Sequence, residues 1–254
     1  MTYCLALRLD EGLVFLSDTR TNAGVDDISI YRKLHVIRPA PDRVFVIQAA
    51  GNLATTQEVL DRIARDLAVH GDGATLATVG HLFEAALEVG RVSQDTVAAH
   101  RSALSASGAN GSATFIFGGQ IAGQPPEIFL VYPEGNYIRA SKTRPFLQIG
   151  EAKYGKFWLE FGVHAGTSLT MATKVALGSM LSTTRANLSV GPPYDLGVLT
   201  VDSLTIDEHR IEADSTYLQD LQHLFARHLA RALDELPPVP WEQEPSWRPS
   251  TVDP

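Results

Sequence analysis

A single cysteine, Cys4, in 254 residues leaves no partner for an intramolecular disulfide and rules out a cysteine cage for a metal. Such usage fits a reducing cytoplasm. Long apolar runs are missing too, since no window approaches the roughly 20 apolar residues needed to span a bilayer. The start, Met-Thr-Tyr-Cys-Leu-Ala-Leu-Arg, lacks the basic head, apolar stretch and small-residue cleavage site of a secretory signal. The expectation is a soluble, cytoplasmic protein with no membrane partner, whose residue 2 lies at or near the mature terminus. Basic residues are in the minority, 21 against 29 acidic ones, for a net charge of −8. Without a concentrated basic face to neutralise phosphates, no nucleic-acid partner is expected. Repeats at solenoid or propeller periods are absent as well.

What is present is an ordinary globular balance, with 44% aliphatic and aromatic residues and 20% charged ones. The length suits one large domain, which we place at residues 1–236. Residues 237–254 are proline-rich with few aliphatics and read as a tail, whose Trp241 and Trp247 offer apolar surface for docking.

The hydrophobic period sets the order of elements. Thr2–Leu9 and Leu13–Ser17 read as strands paired across Asp10-Glu11-Gly12, and Ile28–Ile37 and Arg43–Ala50 as a second pair across Pro39-Ala40-Pro41-Asp42. From Leu53 the period becomes helical, through Val59, Leu60, Ile63, Ala64 and Leu67, with Gly71 and Gly73 beyond the end. A second helix follows through Val79, Leu82, Phe83, Ala86 and Leu87. Strands return at Ser112–Phe117, Glu127–Tyr132, Tyr137–Ala140 and Phe146–Ile149. A helix over Ser168–Thr184, a hairpin of Leu196–Val201 with Leu204–Ile211, and an amphipathic helix over Tyr217–Leu233 complete the chain. Strands arriving in hairpins disfavour a parallel βαβ fold. They predict an α+β, αββα sandwich of two antiparallel sheets with helices outside.

Three polar features stand near strand ends: Thr2, the cluster Ser17-Asp18-Thr19-Arg20-Thr21, and Lys33, read as lying inside a strand. Taken singly each has an ordinary structural explanation, as a terminal residue, a turn residue and a solvent-facing edge lysine. Cys4 shares the strand face of Thr2 and reads as packing material. His223 and His228 are five apart on a helix, off the spacing of a helical metal pair. The stripe Leu218, Leu221, Phe225, Leu229 and Ala232 reads as core or subunit interface.

Together the features resemble a family. The run Leu16-Ser-Asp-Thr-Arg-Thr-Asn-Ala-Gly24, then Lys33-Leu34, then Ala49-Ala-Gly-Asn-Leu-Ala-Thr55 opening a helix, resembles proteasome β subunits and their bacterial relative HslV. Thr2-Tyr3-Cys4, Ile149-Gly-Glu-Ala-Lys-Tyr-Gly155 and Asn187-Leu-Ser-Val-Gly-Pro-Pro193 resemble the Anbu branch, the bacterial ancestral β-subunit type. The likeness covers essentially residues 2–235 and implies the N-terminal-nucleophile fold.

It also implies roles. Once Met1 is removed, which the small Thr2 favours, Thr2 supplies both nucleophile and base. A threonine hydroxyl is a poor nucleophile at neutral pH, whereas a free α-amine, with a pKa near roughly 7.7–8.0, is partly neutral there. By resemblance Lys33 tunes the electrostatics around the hydroxyl, Asp18 fixes Lys33, and the Gly51 N–H is the oxyanion donor. Ser189 carries over without the Asp that precedes it in active β subunits, and Glu151 stands where many of them carry Ser. Glu151 either replaces that missing carboxylate or engages the α-ammonium and weakens it as a base. The function implied is a cofactor-free threonine peptidase or amidohydrolase acting on a peptide or small amide, built from identical subunits in a closed ring or an open, helical array. The alternatives are a proteasome-like assembly or binding protein with little cleavage, and a small-amide or γ-glutamyl hydrolase.

Overall fold

The computed structural model describes residues 1–22, 28–69 and 75–243. Ala23 and Gly24 of the first motif, Gly71, Gly73, Trp247 and the end of the tail lie outside the described residues. In chain order come β1 (Tyr3–Leu9), β2 (Gly12–Asp18), β3 (Arg20–Asn22), β4 (Ile28–Ile30), β5 (Leu34–Ala40) and β6 (Arg43–Gly51). They are followed by α1 (Leu53–Ala68), α2 (Leu82–Ala99), α3 (Arg101–Ser107), β7 (Ala113–Ile121), β8 (Glu127–Val131), β9 (Tyr137–Arg139) and β10 (Phe146–Gly150). Then come α4 (Ala152–Gly162), α5 (Leu169–Ala186), β11 (Tyr194–Thr200), β12 (Ile206–Ile211) and α6 (Thr216–Asp234). Residues 1–213 and 214–254 form two compact units.

In the first unit two antiparallel sheets stack, one ordered β10-β1-β2-β11-β12 and the other β5-β6-β7-β8-β9, with β3–β4 as a separate ribbon. The alternation of side chains along a strand explains the layers. In β6, Val44, Val46 and Ala50 turn toward the core between the sheets, which also takes Cys4, Ala6 and Phe15. Phe45, Ile47 and Ala49 turn the other way, onto Val59 and Ile63 of α1 and Ala85 and Val89 of α2. On the far side α5 packs on β1 and β2 and against α4. Strands covered on both faces have few polar positions, and every residue of β2 is buried. The result is the expected αββα sandwich.

The structure corrects the sequence reading in places. The single strand expected over Ile28–Ile37 is split into β4 and β5, and Lys33 lies in the link between them rather than inside a strand. It is also 6% exposed, not solvent-facing. Neither α3 nor α4 was legible. In α4 the aromatic residues Phe157 and Phe161 are 69% and 82% exposed while Gly155 and Leu159 are buried, so the apolar period does not mark the buried face. In the second unit α6 buries Leu218, with Leu221 and Phe225 half-buried and Leu229 exposed, so the predicted stripe is only partly covered. No helix among the described residues is long and apolar enough to cross a membrane.

Candidate active site

Register brings Asp18 to the start of the chain. Cys4 faces Ser17 across β1 and β2, so the next step outward sets Tyr3 against Asp18, and the Tyr3 N–H donates to Asp18 Oδ1 at 3.0 Å. Lys33 enters from the link before β5. Its ammonium donates to Asp18 Oδ1 at 2.7 Å and to the Arg20 carbonyl at 2.6 Å. From the other side the Gly191 N–H donates to Asp18 Oδ2 at 3.3 Å. Burial pushes the Asp18 carboxyl above its ordinary value, and the Lys33 ammonium and the two backbone donors pull it back. A fully buried carboxylate is tolerable here because it is both paired and hydrogen-bonded.

Gly51 closes β6 with φ +119°, and a Cβ there would sit 2.5 Å from the Ser112 carbonyl oxygen. Only glycine fits that turn. Along β6 the N–H groups alternate in direction: that of Ala49 goes to the Lys33 carbonyl, and that of Asn52 to Ser112 across the β7 side. Two residues beyond Ala49, the Gly51 N–H therefore falls on the β5 side, past the point where that strand begins. There lies a cleft of about 270 Å³ lined by Thr2, Lys33 and Gly51 together with Thr21, Ala49 and Gln57. It shares His35, Gln57 and Leu60 with a wider groove of about 760 Å³ between β5 and α1.

The second side of Thr2 is built by β10. Tyr3 faces Gly150, whose φ is +80° and whose Cβ, were there one, would fall 1.9 Å from the Thr2 carbonyl oxygen. The next residue, Glu151, donates its N–H to that same oxygen at 2.7 Å. Its carboxylate accepts from Asn187 Nδ2 at 2.9 Å. Ser189 takes part through its backbone, its N–H donating to Asn187 Oδ1 at 2.9 Å. Met1 is 60% exposed.

Of the residues singled out from the sequence, Thr2, Lys33 and Gly51 line one cleft, Asp18 lies buried behind Lys33, and Glu151 and Ser189 meet at Asn187. Asn187, Gly191 and the Arg20 carbonyl were not anticipated as site groups. Their contributions are a side-chain amide and two backbone groups, which leave no mark in spacing, although Asn187 and Gly191 both stand in a motif already noticed. Cys4 is fully buried, burial pushes its thiol up, and its sulfur lies 4.0 Å from the Ala49 carbonyl, which is the setting of a packing residue. Among the described residues no group of three or more His, Cys, Asp or Glu side chains could hold a metal ion.

No protein-family model and no curated protein sequence matches the chain. Solved structures do. The subunit in a structure described as the helical assembly of the Anbu complex from Pseudomonas aeruginosa is 40% identical, with a TM-score of 0.90, over 95% of this chain and 100% of that one. Anbu from Hyphomicrobium sp. strain MC1 is 42% identical with a TM-score of 0.84, over 94% of this chain and 99% of that one. Anbu, the ancestral β-subunit, from Yersinia bercovieri is 38% identical with a TM-score of 0.86 over the same shares.

Proposed function

Since the chain belongs to the Anbu family of proteasome-like β subunits, we propose that it is a threonine-type N-terminal-nucleophile hydrolase that cleaves peptide bonds within an assembly of identical subunits. With Met1 gone, the Thr2 hydroxyl attacks the substrate carbonyl while the Thr2 α-amine, directly or through a water, takes the hydroxyl proton. Lys33, held by Asp18, keeps a positive charge beside the nucleophile, which favours the neutral form of the amine and the alkoxide character of the oxygen. The Gly51 N–H receives the charge that develops on the carbonyl oxygen; a lost donor of this kind typically costs about 10²–10³ in rate. Collapse of the tetrahedral intermediate expels the amine product, protonated by the Thr2 ammonium, and leaves an ester on Thr2 that water hydrolyses. Every proton transfer uses the chain's own groups, so the reaction calls for no cofactor.

The observation that carries this reading is the 2.7 Å Lys33–Asp18 pair at a cleft shared by Thr2 and Gly51. Continuity of that cleft with the groove between β5 and α1 favours an extended peptide over a short amide. The Pseudomonas relative forms a helical assembly, and we extend self-assembly to this chain. One observation favours a second reading, an assembly with little cleavage: the Glu151 backbone N–H is bonded to the Thr2 carbonyl, and a carboxylate carried that close to the amine favours its protonated form.

The test is a panel of fluorogenic peptides against short amides, with protein freed of Met1. Release of extended-peptide fluorophores that Thr2→Ala abolishes is the expected result. Intact assemblies that release nothing from any substrate favour the second reading, and short amides alone being cleaved favours a small-amide hydrolase.

A further inference from the structure

Glu151 occupies the N-cap position of α4, where an acidic side chain ordinarily accepts from the helix's own first-turn amides. It makes no such bond. Its carboxylate turns instead to Asn187, 36 residues away, which donates Nδ2 to Oε2 at 2.9 Å. Asn187 is itself held at three points. Its N–H donates to the Thr183 carbonyl at 2.8 Å, its carbonyl accepts from Val190 at 3.1 Å, and its Oδ1 accepts from Ser189 at 2.9 Å. Four residues on, Gly191 of the same loop binds Asp18. The loop 187–191 therefore grips both acidic residues that bond the start of the chain, Asp18 at Tyr3 and Glu151 at Thr2, the first by a backbone amide and the second by a side-chain amide.

The β1–β10 ladder ends at Tyr3 and Gly150, where the chain turns at the positive φ of Gly150, and the Glu151 N–H bonded to the Thr2 carbonyl at 2.7 Å keeps these two residues adjacent. We propose that Asn187 is a positioning residue: by fixing the Glu151 carboxylate beside the Thr2 nitrogen it sets how readily that amine gives up its proton. The proposal rests on the reading that the free Thr2 amine is the base. The other charged groups on the surrounding elements include Asp18 of β2 and Lys33 paired with it, Arg20 of β3, whose guanidinium donates to the Leu188 carbonyl at 2.8 Å, Lys153 of α4, which lies over the Tyr154 ring, and Arg185 in the last turn of α5. Arg32 lines the cleft and is held by Asp195 and Glu208 at 3.6 and 3.8 Å. Substitution at 187 or 151 removes none of these side chains.

A nearby carboxylate favours the ammonium form and so raises the amine's pKa. Glu151→Gln keeps an oxygen for Asn187 to bond and deletes the charge, and it therefore lowers that pKa. Asn187→Ala frees the carboxylate and lowers it in the same direction, by less. Asn187→Asp keeps an acceptor for Ser189 but sets two carboxylates together, which raises the pKa. In the double variant Asn187→Asp with Glu151→Gln, one charge remains and the hydrogen bond re-forms with its donor reversed.

The readout is the pH dependence of acetic anhydride labelling of the Thr2 nitrogen, followed by mass spectrometry on assembled protein lacking Met1. It needs no turnover, so absence of peptide cleavage in the native protein defeats the proposed function without deciding this point. The expected shifts from wild type are about half to one pH unit, downward for Glu151→Gln, downward and smaller for Asn187→Ala, upward for Asn187→Asp, with the double variant back near wild type. A labelling profile that stays in place in Glu151→Gln, or in both Asn187 variants, overturns the proposal. Should Asn187→Ala fail to fold, Asn187→Asp and its rescue decide it alone.

Discussion

Asp18 collects donors from Tyr3, Lys33 and Gly191, which come from the chain start, a link between strands and a loop far along the sequence. The family resemblance of the run 16–24 and of Lys33-Leu34 implied Asp18 and Lys33 as partners, and that much was legible. Their burial was not, because a lysine next to Arg32 reads as a surface residue until a second sheet covers it. With Lys33 6% exposed and Asp18 fully buried, removing one partner strands a charge, a loss that typically costs about 3–5 kcal/mol. Asp18→Ala is expected to lower the unfolding free energy by about that amount and to abolish peptide cleavage, checked by denaturant titration beside the activity assay. Cys4 provides a contrast at the same scale. Fully buried with its thiol pushed up, it is expected to resist iodoacetamide in the native protein at pH 8 and to react on unfolding, as read by mass spectrometry.

Elements hold these residues where they are. The turn from β6 into α1 sets the Gly51 N–H and is pinned by Asn52, whose side chain accepts from the Thr55 N–H at 3.2 Å and donates to the Asn110 carbonyl at 3.0 Å. A lost N-cap of this type costs about 1 kcal/mol. Asn52→Ala is expected to lose about that much or slightly more, because Nδ2 also ties α1 to the segment before β7. A thermal melt of the variant beside wild type checks it, and an unchanged melting temperature would contradict the role assigned. Most strands and the longer helices were legible from their periods, as was the layering, but the short ribbon of β3 and β4 was not. The helix α4 was not. Its exposed faces carry Tyr154, Phe157 and Phe161, with Phe157 stacked on Phe161 at 6.0 Å between ring centroids, while a glycine and a leucine are its buried residues. A period read from hydrophobicity then marks the wrong side.

At the scale of the whole molecule, the sandwich follows from strands buried on both faces, and the same burial puts the chemistry at one end of the two sheets. Sequence pattern carried the reading as far as the layers and the resemblance of ordered motifs carried it to the family. The clamp formed by residues 187–191 needed coordinates, since it joins groups distant in sequence through backbone amides and one asparagine. The proposed function stands on the Lys33–Asp18 pair serving a nucleophile at residue 2. Its most direct test is peptide mapping of Met1-free protein treated with a β-lactone. The expected result is an ester on the Thr2 hydroxyl that is lost in Lys33→Ala. An adduct found elsewhere, or one that forms on Thr2 equally well without Lys33, would contradict it.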